Sequence, residues 1–383
     1  MHLRESYPTS LVGRDRIDGY PTRMPAAYRH RSCGGNHPFP FVSNTSDMFH
    51  KNCPYLLRLP QAFRLQRLVP CILASAVILP AHADSVFVTL EKDNAVVEVD
   101  GATGEVRRTV PVGKRPRGIL AGRDGLKIFV ATSEGNAIAV LDTRTLEPVG
   151  RWPVDKDPKT FTLNPLETRL FASNDDDNQL TVVDVESRQV LKRIPIGKEP
   201  EGVSISPDGR WVVSTSEADN TATWIDTTSL EPLERTPVDP RPRYSRFTDD
   251  GEQLWVSSHD GQSLTIIETA TKRPIKTITF KIPDVADRDI GAVGIRIDRD
   301  RRYGYVALGR ASRVAVIDAR TLEVVRYIPV GQRVWNLEFS PDQKRLYTAN
   351  GLSNDLSIID LSTFVVTKTV PVGNGPWAIA VLP

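Results

Sequence analysis

Apolar and polar positions alternate in short runs along residues 117–156. The runs are too short for helices, and their Val, Ile, Leu and Phe content favours strands. The pattern predicts four strands, Gly118–Ala121, Leu126–Thr132, Ala137–Leu141 and Val149–Val154. Gly, Asp and Asn cluster between these strands, as they do in tight turns. Four antiparallel strands of this length form one small sheet.

The same pattern returns at a fixed step along the chain. An acidic residue ends the third strand of every copy, and these seven residues are Asp100, Asp142, Asp184, Asp226, Glu268, Asp318 and Asp360. The step is 42 residues, except for 50 between Glu268 and Asp318. A period of about 40–45 residues built from four strands is typical of a propeller blade. We therefore expect a seven-bladed β-propeller of four-stranded antiparallel blades, in which the acids cap turns by accepting backbone N–H bonds.

The two ends of the repeat region predict how the ring closes. Ser85–Leu90 matches the second strand of a blade, and Pro376–Leu382 matches a first strand without successors. Pairing them completes one blade from both ends of the region. Such closure removes the exposed sheet edges that invite aggregation.

The segment before the repeats has the pattern of an export signal. Residues 68–79 are apolar, Arg64 and Arg67 precede them, and the small-residue sequence Ala81–Ala83 follows. The run is too short to span a bilayer, which takes roughly 20 residues. We predict a signal peptide region at 48–83 with cleavage after Ala83, and a periplasmic propeller at 84–383 without a membrane span. Residues 1–47 are interpreted as upstream sequence from a misassigned start or as a disordered extension.

Removing residues 1–83 changes the chemistry of the chain. Ten of the 49 Lys and Arg and four of the 47 Asp and Glu are lost, which leaves 39 against 43 and a net charge of −4. This weakly acidic body argues against nucleic-acid binding. All three cysteines and five of six histidines are lost as well, which excludes c-type haem attachment and His/Cys metal centres. We predict no metal, no cofactor and no catalytic residue, and we interpret His259 as a solvent-facing turn residue.

The repeat also predicts which residues surround one mouth of the propeller channel. Seven equivalent positions, which directly follow a proline in five of the blades, form a set that we call the mouth ring: Arg117, Lys159, Glu201, Arg243, Val293, Trp335 and Trp377. Two positions earlier the residues are Arg115, Asp157, Glu199, Arg241, Gly291, Arg333 and Gly375. Guanidinium groups beside aromatic faces suit a planar anionic ligand or an acidic partner loop.

The predicted ligand or partner site therefore consists of Arg115, Arg117, Lys159, Glu201, Arg241, Arg243, Tyr244, Arg333, Trp335 and Trp377. The alternative is that these cations only pair with Glu199, Glu201 and Asp157 in a solvated rim. The eight extra residues of the 50-residue step fall between Phe280 and Gly294, on the same face. A unique loop in a regular repeat is more often functional than structural, so it is the predicted partner contact.

Several short strings carry a resemblance, in this order: Glu91–Asn94, Arg115–Gly118, Glu199–Val203, Arg241–Arg243, Lys276–Pro283, Val330–Trp335 and Gly375–Trp377. With them, residues 85–383 resemble the YVTN-type β-propeller repeat family, and within it the PQQ-dependent catabolism-associated β-propeller proteins. The resemblance implies a periplasmic protein that works beside pyrroloquinoline-quinone-dependent alcohol dehydrogenases and associated transporters, either of which would be its partner. It carries over no catalytic residue.

Two functions follow as hypotheses. The first is an accessory protein that binds a partner or a small anionic or aromatic ligand at the channel mouth. The second is a hydrolase of the seven-bladed lactonase type, for which a pocket carboxylate with a raised pKa would be the discriminating feature. Glu199 and Glu201 are the only candidates for such a carboxylate in the channel mouth, and the neighbouring arginines are expected to lower their pKa. This expectation favours the accessory protein.

Overall fold

The structure, a computed structural model, describes residues 84–383. These residues form seven four-stranded sheets in which all paired strands are antiparallel, so the predicted seven-bladed β-propeller is confirmed. The predicted extension at 1–47 and signal peptide at 48–83 lie outside the described residues. In the described part, no helix has the length and apolar character that crossing a membrane requires.

The strands are numbered in chain order. The first blade holds β1 (Ser85–Leu90), β2 (Ala95–Asp100) and β3 (Val106–Pro111), together with β28 (Pro376–Leu382). The next three blades are β4 (Pro116–Ala121), β5 (Lys127–Thr132), β6 (Ala137–Asp142), β7 (Pro148–Pro153); β8 (Pro158–Leu163), β9 (Arg169–Asn174), β10 (Gln179–Asp184), β11 (Val190–Pro195); and β12 (Pro200–Ile205), β13 (Trp211–Ser216), β14 (Thr221–Asp226), β15 (Glu231–Pro237). The last three are β16 (Pro242–Phe247), β17 (Gln253–Ser258), β18 (Ser263–Glu268), β19 (Arg273–Thr279); β20 (Ala292–Ile297), β21 (Tyr303–Leu308), β22 (Arg313–Asp318), β23 (Glu323–Pro329); and β24 (Val334–Phe339), β25 (Arg345–Asn350), β26 (Asp355–Asp360), β27 (Val365–Pro371). A 3₁₀ turn, Asp287–Asp289, lies between β19 and β20.

The closing blade has the strand order β28-β1-β2-β3. Strand β28 pairs antiparallel with β1, with Ser85 opposite Leu382 and Val88 opposite Ile379. The prediction made from the two ends of the repeat region is therefore confirmed. Because β28 is the innermost strand of this blade, Trp377 belongs to the same ring as Arg117 and Arg243.

The core lies between neighbouring blades. One apolar cluster joins Trp255 of β17 to Val306 of β21, and each blade face packs on the next in the same way. Large side chains lie in these interfaces, and Trp255 and Trp224 are fully buried. Gly304 of β21 makes room for Trp255, because a Cβ at Gly304 would lie 2.2 Å from the indole ring.

The acids that end the third strands cap the following turns. Asp142 Oδ1 accepts the backbone N–H groups of Arg144 and Thr145, at 2.9 and 3.1 Å. The other aspartates of the series accept the equivalent bonds, as predicted. Glu268 departs from the pattern and accepts the Thr271 hydroxyl at 2.7 Å. The third strand runs parallel to the first, so these caps lie at the end of each blade opposite the mouth ring.

Candidate functional site

A β-bulge sets the direction of the mouth-ring side chains. In β4, Pro116 pairs with Thr132 and Ile119 with Val130, which leaves one residue too many between them on β4. The other first strands have register irregularities at or near this position. Bulges of this kind bend a strand and re-aim its side chains, and they are common beside functional sites.

The residues two positions before the mouth ring all have left-handed backbone. Their φ values run from 49 to 69°: Arg115, Asp157, Glu199, Arg241, Gly291, Arg333 and Gly375. Asparagines at equivalent positions of the repeat accept the N–H groups of five of them, for example Asn94 Oδ1 from Arg115 at 2.8 Å and Asn220 Oδ1 from Arg241 at 2.9 Å, and the Ser312 hydroxyl accepts that of Arg333. The repeat therefore supplies both the strained turn and the acceptor that fixes it.

The mouth ring is mostly buried. Arg117, Lys159 and Glu201 are 9, 6 and 6 % exposed, while Arg243 and Trp335 are half-buried. A solvated rim, the alternative prediction, would leave these groups in water. Burying them requires charge partners nearby, because an unpaired buried charge is very costly.

A second ring, which the sequence analysis missed, supplies most of these partners. It is the residue directly after each second strand, and we call it the hairpin ring: Glu91, Ser133, Asp175, Glu217, His259, Gly309 and Gly351. Applying the same 42-residue step to the second strands would have found it. Its carboxylates also show that Glu199 and Glu201 are not the only acids of the site, which corrects the earlier expectation.

On one side of the mouth, three cations pair with carboxylates of the hairpin ring and of the left-handed turns. Arg117 Nε donates to Glu91 Oε1 at 2.9 Å, and Arg115 Nε donates to the same oxygen at 3.0 Å. Lys159 Nζ lies 2.8 Å from Asp157 and 2.9 Å from Asp175. These pairs lower the pKa of Glu91 and of Asp157, although burial alone would raise both. Here the cations are already neutralised.

Arg243 connects two carboxylates from the two rings. Its Nε lies 2.6 Å from Glu217 Oε1, and its Nη1 lies 3.4 Å from Glu201 Oε1. Arg241 Nε donates to Glu217 Oε2 at 2.8 Å. The short contact between Arg243 and Glu217 is not a directed hydrogen bond, which leaves Glu217 Oε1 without a donor among residues 84–383.

The two carboxylates respond differently to this setting. Burial would raise the pKa of Glu201, but Arg243, Lys159 and Arg117 together hold it below its ordinary value. Burial raises the pKa of Glu217 to about 7, in spite of Arg243 and Arg241, and the neighbouring Glu201 adds to the rise. The expectation of a lowered pKa is confirmed for Glu201. Glu217 has the raised pKa that was set out as the mark of a hydrolase.

His259 is not the solvent-facing residue that the sequence predicted. It belongs to the hairpin ring, is 1 % exposed, and its Nδ1 lies 2.8 Å from Asp260 Oδ1. Burial lowers the pKa of His259 to about 4, and Arg243 and Arg310 add to this effect. The imidazole is therefore neutral at pH 7, and its buried Nε2 has no hydrogen-bond partner among the described residues.

The aromatic residues separate into two groups. Trp335 lies with its ring 4.8 Å from the Arg333 guanidinium and 6.0 Å from that of Arg243, so it faces the cations as predicted. Trp377 is 5 % exposed and packs in the apolar cluster between blades. Tyr244 points further along the channel, where its hydroxyl accepts a bond from Arg296 at 3.2 Å. The structure therefore brings Trp335, but not Trp377, against the charged groups.

The extra residues between β19 and β20 lie at the mouth and are anchored to the blade. Phe280 and Ile290 are fully buried, and Arg310 Nη1 donates to the Arg288 carbonyl at 2.9 Å. Gly291 lies against His259, because a Cβ there would be 2.8 Å from Nε2. The segment therefore covers His259. Its predicted role as a partner contact remains a prediction.

The structure groups no three His, Cys, Asp or Glu side chains of residues 84–383 in a way that could hold a metal ion. No protein-family model matches the chain, and no curated protein sequence matches it either.

Solved structures do resemble this one. A putative 6-phosphogluconolactonase from Bacteroides fragilis has a TM-score of 0.67 at 17% identity, over 79% of this chain and 98% of that one. The periplasmic gluconolactonase PpgL of Pseudomonas aeruginosa has a TM-score of 0.67 at 16% identity, over 78 and 99%. The dihydro-heme d1 dehydrogenase NirN has a TM-score of 0.59 at 16% identity, over 77 and 74%. At these identities the likeness concerns the fold alone, which hosts different activities.

Proposed function

We propose that this protein binds a small anionic ligand at the channel mouth, as an exported accessory protein of PQQ-dependent alcohol catabolism. The observation that carries the binding site is the convergence of buried charges from neighbouring blades on Arg243, Glu201 and Glu217. Buried ion pairs contribute little net stability, and clusters with shifted pKa values concentrate at functional sites. The accessory role rests on the resemblance of residues 85–383 to that group of propellers.

The charge balance favours an anion. Five cations and five carboxylates pair with one another at the mouth: Arg115, Arg117, Lys159, Arg241, Arg243; Glu91, Asp157, Asp175, Glu201, Glu217. Protonation of Glu217 below about pH 7 leaves one positive charge in excess, beside Arg241 and Arg243. A ligand carboxylate takes the place of the Glu217 charge there, and Trp335 offers a flat face beside it.

Calorimetry tests the binding site. Gluconate and pyrroloquinoline quinone are titrated into the full chain at pH 6 and pH 8. We expect binding that is several-fold tighter at pH 6 and at least tenfold weaker in Arg243→Gln. Arg144→Gln, whose side chain is 80% exposed at the opposite end of its blade, is the matched control. An affinity of Arg243→Gln equal to that of the wild type would contradict the proposed site.

Affinity capture tests the accessory role. The tagged protein is isolated from the periplasm of cells grown on an alcohol, and bound proteins and small molecules are identified by mass spectrometry. We expect a quinone-dependent dehydrogenase or a transporter component in the wild-type eluate. Its absence, with a correctly folded bait, would contradict the association.

Hydrolysis of a lactone is a second candidate, favoured by the pKa of about 7 at Glu217. A carboxylate that titrates near neutral pH can take a proton from water as the water attacks the lactone carbonyl, and can return it to the ring oxygen when the C–O bond breaks. Arg241 and Arg243 would stabilise the negative charge that develops. Release of acid from gluconolactone, corrected for spontaneous hydrolysis, should fall at least a hundredfold in Glu217→Gln. A wild-type rate equal to the spontaneous rate would exclude this function.

A further inference from the structure

The 42-residue step defines a third ring, deeper in the channel. Three residues after each mouth-ring position lie Leu120, Thr162, Ser204, Arg246, Arg296, Glu338 and Ala380, which we call the inner ring. Its three charged members come from consecutive blades, and the other four are apolar, hydroxyl-bearing or small. One side of the channel is therefore charged at this level, and the other side is not.

Six of the seven inner-ring residues line one cavity of about 310 Å³. Small-molecule sites begin at roughly this size. Half-buried apolar side chains from three blades, Leu120, Leu163 and Ile205, form part of its wall. These residues leave apolar surface open to the cavity, where a ligand of matching character would gain hydrophobic stabilisation.

The charged side of the cavity holds two arginines, one buried and one exposed. Arg296 is 6 % exposed and held by Glu338 at 2.6 Å and by Tyr244 at 3.2 Å, and its buried Nε has no hydrogen-bond partner among the described residues. Arg246 is exposed and lines the same cavity; its side chain makes no hydrogen bond or ion pair within residues 84–383, and its charge helps to lower the pKa of Glu338. Asp249, in the turn after β16, is exposed and also lines the cavity.

From this arrangement we propose a second ligand site, separate from the channel mouth, that binds a small monocarboxylate with an apolar body. Arg246 forms the planar, two-pronged contact that guanidinium groups make with carboxylates. The Arg296–Glu338 pair holds the neighbouring wall in place, with Arg296 Nε facing no other donor or acceptor. Leu120, Leu163 and Ile205 contact the alkyl or aryl part.

Calorimetric titration of the full chain with hexanoate tests the site. We expect saturable binding that weakens at least tenfold in Arg246→Gln and is unchanged in the exposed control Arg144→Gln. Thermal unfolding is measured for both variants, and neither should shift, because both side chains are exposed. Retained hexanoate binding in Arg246→Gln, or no binding by the wild type at millimolar concentrations, would overturn the proposal.

Three further titrations separate the chemical alternatives. Inorganic phosphate lacks the apolar body and hexylammonium carries the opposite charge, so both should bind at least tenfold more weakly than hexanoate. Equal binding of phosphate would refute the apolar contribution, and equal binding of hexylammonium would show that Asp249 and Glu338 dominate. At pH 8, where the paired charges of the mouth balance, hexanoate binding that is lost in Arg243→Gln and retained in Arg246→Gln would place the carboxylate at the mouth instead and refute the second site.

Discussion

Arg243 Nε lies 2.6 Å from Glu217 Oε1, yet the pKa of Glu217 is raised to about 7. The reason is that the carboxylate is 7 % exposed at its side chain and shares Arg243 with Glu201. Two buried acids that share one buried guanidinium are not both fully compensated, and the more exposed Arg241, which also pairs with Glu217, does not make up the difference. Glu201, which also has Lys159 and Arg117 nearby, keeps its charge at the expense of Glu217.

This relationship predicts a pH-dependent stability. Because the pKa of Glu217 rises from 4.5 in the unfolded chain to about 7, the native state binds more protons between these values. The free energy of unfolding should therefore fall as pH rises from 4.5 to 7, and level off above 7. This contribution is absent in Glu217→Gln. When the pH rises from 4.5 to 8, the free energy of unfolding of the variant should therefore increase by on the order of 2 kcal/mol relative to that of the wild type.

Urea denaturation across this pH range measures the effect. Glu134→Gln, at an exposed position in a hairpin turn on the same side, is the control and should follow the wild type. Parallel pH profiles for the wild type and Glu217→Gln would contradict the shifted pKa.

His259 predicts a pH dependence of the free energy of unfolding with the opposite sign. Its pKa falls from 6.5 in the unfolded chain to about 4, so the unfolded chain binds more protons between these values. This contribution to the free energy of unfolding is complete above pH 6.5 and is lost as pH falls to 4. In His259→Asn, whose amide can still donate to Asp260, the loss below pH 6.5 should disappear.

Proton NMR of the imidazole provides a direct check. The His259 resonance, identified by its absence from His259→Asn, should not titrate between pH 5.5 and pH 8. A midpoint near pH 6.5 would mean that the ring reaches solvent and that the segment around Gly291 does not cover it.

Substitution of the two tryptophans of the mouth ring should have different effects, one mainly on stability and the other mainly on ligand binding. Trp377 packs between blades and is 5 % exposed, so Trp377→Ala should cost about 3–5 kcal/mol. Trp335 is half-buried and faces two guanidinium groups, so Trp335→Ala should cost less stability and weaken binding at the mouth more. Denaturation midpoints and calorimetry on both variants measure the two effects. Equal losses of stability would refute the distinction.

The repeat explains why so much of the fold followed from the sequence. A 42-residue period fixes strand order, closure and the capping role of acids such as Asp142, since each feature recurs at one position per blade. It also predicted the pKa direction of Glu201, because that residue lies between ring cations. The same period places Glu217 and His259 in the hairpin ring, but it does not show their burial or the raised pKa of Glu217. Both depend on which side chains meet across blades, and a repeat period carries no information about those contacts.

Two glycines in strands should respond in opposite ways to alanine. A Cβ at Gly304 would lie 2.2 Å from the fully buried Trp255 ring, which cannot move without displacing the next blade. Gly304→Ala should therefore destabilise the protein by about 1–3 kcal/mol, as overpacked cores do. At Gly150 the nearest atom is 3.4 Å away, an ordinary contact, and alanine restricts the unfolded chain. Gly150→Ala should be neutral or stabilising by up to about 1 kcal/mol.

Thermal and urea denaturation of both glycine variants measure these effects. If the clash with Trp255 is the cause, Trp255→Phe in the Gly304→Ala background should cost less than Trp255→Phe alone, because the smaller ring relieves the overlap. Additive losses in the double variant would mean that Gly304 is needed for its backbone freedom and not for the space it leaves.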